Sequence, residues 1–276
     1  MIRSIRNPVK TRIAEGGLAI GLGVRLFRDV EIAGLAVAAG YDWLFIDLEH
    51  GSISMETVAQ ISNTALLAQC APIVRVAAFD FSTAGRALDN GALGAIFPHV
   101  DTADQARTIV EHMRYPPAGH RSFAARQPAV GFNAGPATEI MAALDTEILV
   151  FAMLESALAI ENAAEIASVP GIDALFIGAN DLAIDLGIPD QFDSPRFREV
   201  MDRIVDGGRS HGKTIGIGGI RDGELMRHLF ERGVAIVLGD MEATLLVAGG
   251  RSQTSHLRAL QTKARPADPQ ASAAEA

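Results

Sequence analysis

The sequence predicts a closed (β/α)8 barrel, and three observations carry that prediction. Eight short apolar runs alternate with amphipathic segments, the pattern of βαβ units on a parallel sheet. No shift in composition interrupts the series, which favours one closed barrel over an open sheet. The runs are almost free of charge, while the residues just after them carry most of the ionisable groups. At 276 residues and 49% hydrophobic, the chain can bury one large core, and its length does not force two domains.

The strands are expected near 18–23, Trp43–Asp47, 73–76, 95–98, 148–154, 174–177, 214–217 and 235–238. Amphipathic runs at 55–69, Ala103–Met113, 157–167, 195–211 and 223–232 supply intervening helices. One connection, from Arg114 to the fifth strand, is long. Pro116, Pro117 and Gly119 break a helix at its start, and it carries Arg121 and Arg126. It is expected either to cover an anion site or to be a solvated basic loop. Residues 1–263 are read as one barrel domain and 264–276, rich in Ala, Pro, Ser and Gln, as a disordered tail.

A net charge of −9 with no basic cluster argues against nucleic acid or an anionic membrane as partner. The one cysteine, Cys70, admits no intrachain disulfide and reads as a small buried hydrophobe. The first ten residues lack the apolar core of a secretory signal. No apolar run reaches the roughly 20 residues of a membrane span. A cytoplasmic protein is expected.

The strand tips hold the chemistry. Strand two delivers Asp47, Glu49 and His50; strand three, Arg75; strand four, Pro98 and His99; strand five, Glu155. Strand six delivers Gly178, Ala179, Asn180 and Asp181; strand seven, Gly218 and Gly219; strand eight, Gly239 and Asp240. In a barrel these tips share one face, where barrel enzymes work. Glu155 and Asp181 come from adjacent strands, and two carboxylates brought together need a counter-charge. A divalent cation with oxygen ligands, Mg2+ or Mn2+, would supply it. The competing reading makes both residues helix N-caps. His50 titrates near neutrality and suits proton transfer, with Asp47 a candidate to orient it. Arg75, among β-branched neighbours, needs an anion: a substrate carboxylate or enolate, or internally Asp47 or Glu49. Lys10, Lys213 and Lys263 lie near the termini or before a strand, so Schiff-base chemistry is not expected.

Five segments then resemble one family: Trp43-Leu-Phe-Ile-Asp-Leu-Glu-His-Gly51, Pro72-Ile-Val-Arg-Val76, Ala87-Leu-Asp-Asn-Gly-Ala92, Arg114-Tyr-Pro-Pro-Ala-Gly-His-Arg121 and Phe176-Ile-Gly-Ala-Asn-Asp-Leu182. They resemble the class II pyruvate aldolases, of the 4-hydroxy-2-oxoheptanedioate and 2-dehydro-3-deoxyglucarate aldolase type, in the citrate lyase β-subunit superfamily. The resemblance implies a phosphoenolpyruvate/pyruvate-type barrel that cleaves or forms 4-hydroxy-2-oxo acids, with pyruvate or hydroxypyruvate and an aldehyde as partners, through a metal-stabilised enolate. It implies Glu155 and Asp181 as ligands of Mg2+ or Mn2+, with Co2+ or Zn2+ also compatible. By the same resemblance His50 is the base, Arg75 stabilises the enolate, and the backbone of Gly178, Ala179 and Asn180 receives the substrate carboxylate. Asp89 matches an aspartate that raises the histidine's basicity, typically from a neighbouring subunit. A homohexamer is implied, a trimer of dimers exchanging their last helix.

Two departures stand out. Met153 occupies a position where the family often has a substrate-contacting glutamine, and His120-Arg121-Ser122 replaces the usual x-Arg-Gly. The rival expectations are an oxaloacetate decarboxylase or a malyl-CoA-lyase-like enzyme sharing the enolate, and a non-catalytic binding subunit.

Overall fold

The structure, a computed structural model, describes residues 6–133 and 135–264. The expected tail therefore lies almost wholly outside the described residues. Eight parallel strands close in sequence order: β1 Ala19–Val24, β2 Trp43–Asp47, β3 Ala71–Arg75, β4 Gly94–Phe97, β5 Leu149–Leu154, β6 Ala174–Gly178, β7 Thr214–Gly218 and β8 Val234–Met241. β8 pairs with β1 and seals the barrel, with a register shift between Gly21 and Leu22. All eight expected strands are present. β8 is longer than expected because it carries Gly239 and Asp240 within it.

Buried apolar runs form these strands because both faces are covered, one by side chains inside the barrel and the other by helices. Inside, Phe176 is the hub: its ring centroid lies 6.3 Å from Trp43, 6.3 Å from Phe45 and 6.2 Å from Phe151. Gly21 makes room for this layer. A Cβ there would stand 2.3 Å from the Trp43 ring, closer than any real contact allows. The barrel is a packed core rather than a pore, so chemistry is confined to its mouth.

The 157–167 run divides into helices Ala157–Glu161 and Ala163–Ser168. The long connection after Arg114 holds a 3-10 turn, Pro128–Val130, and a helix, Ala137–Glu147, not foreseen from its prolines. Those prolines, Pro116 and Pro117, precede the helix and leave 137–147 free to wind. Arg121 is buried there, paired with Asp89 at 2.8 Å and lying 4.9 Å over the Tyr115 ring. Neither Arg121 nor Arg126 lines the barrel mouth. Arg121 is thus not part of a solvated loop; within this chain its ionic partner is Asp89, and its Nε and Nη1 have no hydrogen-bond partner among the described residues.

Cys70 is fully buried, and burial pushes its thiol up to about 12, so it stays protonated. The described residues end with helix Glu242–Ala264, on which Leu245, Leu246, Val247, Leu257 and Leu260 are exposed. Among the described residues no helix is long and apolar enough to cross a membrane.

Candidate active site

A cavity of about 320 Å³ opens at the C-terminal ends of the strands. Arg25, Asp47, His50, Arg75, Met153, Gly178, Ala179, Asn180, Asp181 and Arg221 line it. Most of the strand-tip residues singled out in the sequence thus converge; Glu49, Pro98, His99 and Glu155 do not line the cavity itself, although Glu155 lies directly against Gly178, and Asp89 lies elsewhere. Asp89 ends helix Phe81–Asp89 and points to Arg121 of its own chain.

β2 delivers Asp47 and β3 delivers Arg75 as direct neighbours in register. Their side chains form a two-pronged pair, Nε to Oδ1 at 3.1 Å and Nη2 to Oδ2 at 2.8 Å. Arg75 Nη1 lies 3.1 Å from Glu49 Oε2, and its guanidinium sits 5.0 Å over the Phe45 ring. The internal partnering of Arg75 is therefore real and uses both acidic residues. Arg75 still borders the cavity, and a guanidinium has five N–H donors, so it can also face an anion there.

Asp47 does not orient the His50 ring, as its spacing suggested. Its Oδ1 accepts the backbone N–H groups of Glu49 (3.1 Å) and His50 (3.3 Å) and so shapes the turn. The remaining capacity of the carboxylate is taken by Arg75. The carboxylate beside the His50 ring is Glu49, 3.8 Å from Nε2. His50 itself is exposed at the mouth, with 57% of its side-chain surface accessible. A structural core histidine is excluded.

Glu49 and His99 take part in the ion-pair network beside the cavity, a placement the sequence did not reveal. His99 follows β4 with a left-handed backbone, φ 56°, a conformation that costs a non-glycine residue of order 1 kcal/mol. It is held by a bridge. Its Nδ1 lies 3.2 Å from Glu155 Oε2 and its Nε2 lies 3.3 Å from Glu49 Oε1, while its backbone N–H donates to Glu155 Oε2 at 3.1 Å. The only sequence signal was a histidine directly after a strand-ending proline.

Glu155 is buried, and its Oε1 has no hydrogen-bond partner among the described residues. Burial, with Asp181 and Glu49 nearby, lifts its carboxyl to about 7 despite the opposing His99 contacts. It caps no helix: Ser156 caps Ala157–Glu161, accepting from Ala159 N–H. Asp181 lies inside the first turn of Ala179–Asp185, whose N-cap is Gly178. The capping explanation fails for both. Gly178 is required here, because a Cβ would come 2.3 Å from Glu155 Oε1. A buried carboxylate oxygen without a partner, next to a second carboxylate, fits a divalent cation. Among the described residues no group of three or more His, Cys, Asp or Glu forms a ready cage. Substrate oxygens and water would have to supply the remaining ligands.

Lys213 donates to the carbonyls of Val169 (3.2 Å) and Ile172 (2.8 Å) ahead of β7, and Lys10 lies 3.8 Å from Asp173. Neither lines the mouth.

A parallel eight-stranded barrel with paired carboxylates, an anchored arginine and an exposed histidine at its mouth belongs among the barrel lyases. The chain is a member of the HpcH/HpaI aldolase/citrate lyase family, whose model matches residues 28–237. It is 38% identical to a 4-hydroxy-4-methyl-2-oxoglutarate aldolase of Chaetomium globosum, over 78% of this chain and 80% of that one. It is 34% identical to a 4-hydroxy-2-oxovalerate aldolase of Novosphingobium aromaticivorans, over 88% and 91%. An HpcH/HpaI aldolase structure from Desulfitobacterium hafniense superposes with a TM-score of 0.83 at 27% identity, covering 94% of this chain and 98% of that one.

Proposed function

We propose that the protein is a metal-dependent aldolase that cleaves 4-hydroxy-2-oxo acids, or forms them, with pyruvate as the common product. The observation that carries this reading is the unpartnered, buried Oε1 of Glu155 beside Asp181, at a mouth that also presents Arg75 and His50. Glu155 and Asp181 would hold Mg2+ or Mn2+, and the bound cation would act as a Lewis acid toward the 2-oxo group. The backbone N–H groups at the start of Ala179–Asp185 suit the substrate carboxylate.

His50 takes the proton of the C4 hydroxyl. The C3–C4 bond then breaks, its electron pair passing into the pyruvyl half as an enolate while C4 becomes a carbonyl. Arg75, fixed by Asp47 and Glu49, offers a preorganised positive charge to that enolate. Protonation at C3 releases pyruvate. Asp47 and Glu49 act as positioning residues rather than as acids or bases.

Asp89 joins this reading only through self-association, in which it meets the site of a neighbouring copy. The exposed apolar residues of helix Glu242–Ala264 favour such assembly, and a homohexamer is the proposed form.

The test is pyruvate release from a panel of 4-hydroxy-2-oxo acids, oxaloacetate and malyl-CoA, with and without EDTA. Cleavage of the hydroxy-oxo acids that stops in EDTA and returns with Mg2+ or Mn2+ is the expected result. Full activity in EDTA sinks the metal assignment. Turnover of only oxaloacetate or only malyl-CoA replaces the aldolase reading with the corresponding rival.

A further inference from the structure

Three arginines reach the mouth, and they differ in what they hold. Arg75 is committed to Asp47 and Glu49. Arg221 grips Asp240 with Nε at 3.1 Å and Nη2 at 2.9 Å. Arg25 lines the same cavity half-buried, yet among the described residues its guanidinium has no ion pair, hydrogen bond or ring partner. Its backbone, in contrast, is fixed. Glu242 Oε1 accepts the N–H groups of Arg25 (2.7 Å), Leu26 (2.5 Å) and Phe27 (3.2 Å). Its stem packs beside Gly51, where a Cβ would lie 3.3 Å from Arg25 Cγ. An unpaired guanidinium on a pinned loop, in a cavity whose other two arginines are already paired with carboxylates, is a preset anion receptor.

Its place decides which anion. The pyruvyl half of a substrate belongs with Glu155, Asp181 and Gly178–Asn180. The half beyond C4 belongs on the side of His50, which handles the C4 hydroxyl. Gly51 follows His50, so Arg25 stands on the second side. We infer that Arg25 binds a carboxylate carried by the carbonyl fragment beyond C4, making the protein selective for dicarboxylic 4-hydroxy-2-oxo acids over neutral-ended ones. The inference rests on the aldolase reading above and adds to it a specificity residue and a substrate class.

The test compares the Mg2+-loaded protein with its Arg25→Ala and Arg25→Lys variants. The substrates are 4-hydroxy-4-methyl-2-oxoglutarate, with two carboxylates, and 4-hydroxy-2-oxovalerate, with one. Arg25→Ala is expected to raise KM for the dicarboxylate about 10- to 100-fold, the worth of a charge-assisted hydrogen bond. KM for the monocarboxylate and kcat for both should stay within about 2-fold, and Arg25→Lys should recover part of the loss. Equal effects on both substrates, or none, overturn the inference. A titration of the uncleavable pair 2-oxoglutarate and 2-oxobutyrate reads binding without turnover. Wild-type preference for 2-oxoglutarate that vanishes in Arg25→Ala supports the inference, and no preference defeats it. Absence of pyruvate release from both substrates by the wild type defeats the aldolase reading, and the titration then still decides the role of Arg25.

Discussion

Arg75 and Asp47 share one buried two-pronged ion pair across neighbouring strands, at the rim of the cavity. The pair takes up Asp47, which leaves Glu49 as the carboxylate nearest the His50 ring. Removing one member of such a pair strands the other without compensation. Asp47→Ala should cost roughly 3–5 kcal/mol of stability, read as a fall in the urea midpoint. Full wild-type stability would show that the pair contributes nothing net.

His50 is the opposite case. Its ring is exposed, so His50→Gln should leave the unfolding transition within about 0.5 kcal/mol. Turnover should nevertheless drop about 10²- to 10⁴-fold, the usual worth of a proton-transfer group. Matched losses in stability and rate would place His50 in the framework instead.

Glu155 sets a pH window. Burial first, then Asp181 and Glu49, raise its carboxyl from 4.5 to about 7. The folded protein therefore holds this proton more tightly than the unfolded chain does. Metal-free protein should lose that contribution to stability as pH rises from about 4.5 through about 7. Glu155→Gln should flatten the corresponding slope. A cation competes with the same proton, so Mn2+ affinity should rise about tenfold per pH unit below 7 and level off above it. Calorimetric titrations between pH 5.5 and 8 check this; an affinity flat across the range contradicts it.

Gly178→Ala probes the space around the two carboxylates. The new Cβ would meet Glu155 Oε1 at 2.3 Å and Met153 Cε at 2.7 Å. Met153 is flexible and can yield; Glu155 is held by His99. The variant should remain folded, losing about 1–3 kcal/mol, while its Mn2+ affinity falls. Unchanged metal affinity would separate Gly178 from the cation site.

The barrel was legible because strands buried on both faces must be continuously apolar, and the eight runs differ sharply from their tips. The placement of His50, Arg75, Glu155 and Asp181 near the C-terminal strand ends was legible for the same reason: a charge at the end of an apolar strand is conspicuous. The partners of those charges were not. Spacing placed Asp47 three residues before His50, yet strand register gave Asp47 to Arg75. His99 escaped because its bridging role depends on a left-handed backbone that sequence does not announce. Helix Ala137–Glu147 escaped because the prolines before it dominate the local pattern.

Glu242 opens the last helix and, with one carboxylate oxygen, clasps three amides just past the first strand. The beginning and the end of the barrel are thus buckled together at the rim of the cavity. A displacement at the start of helix Glu242–Ala264 would therefore be felt in the loop that carries Arg25. One glutamate thus sets where the Arg25 loop stands, and Glu242→Gln would loosen that loop without touching the strands beneath it.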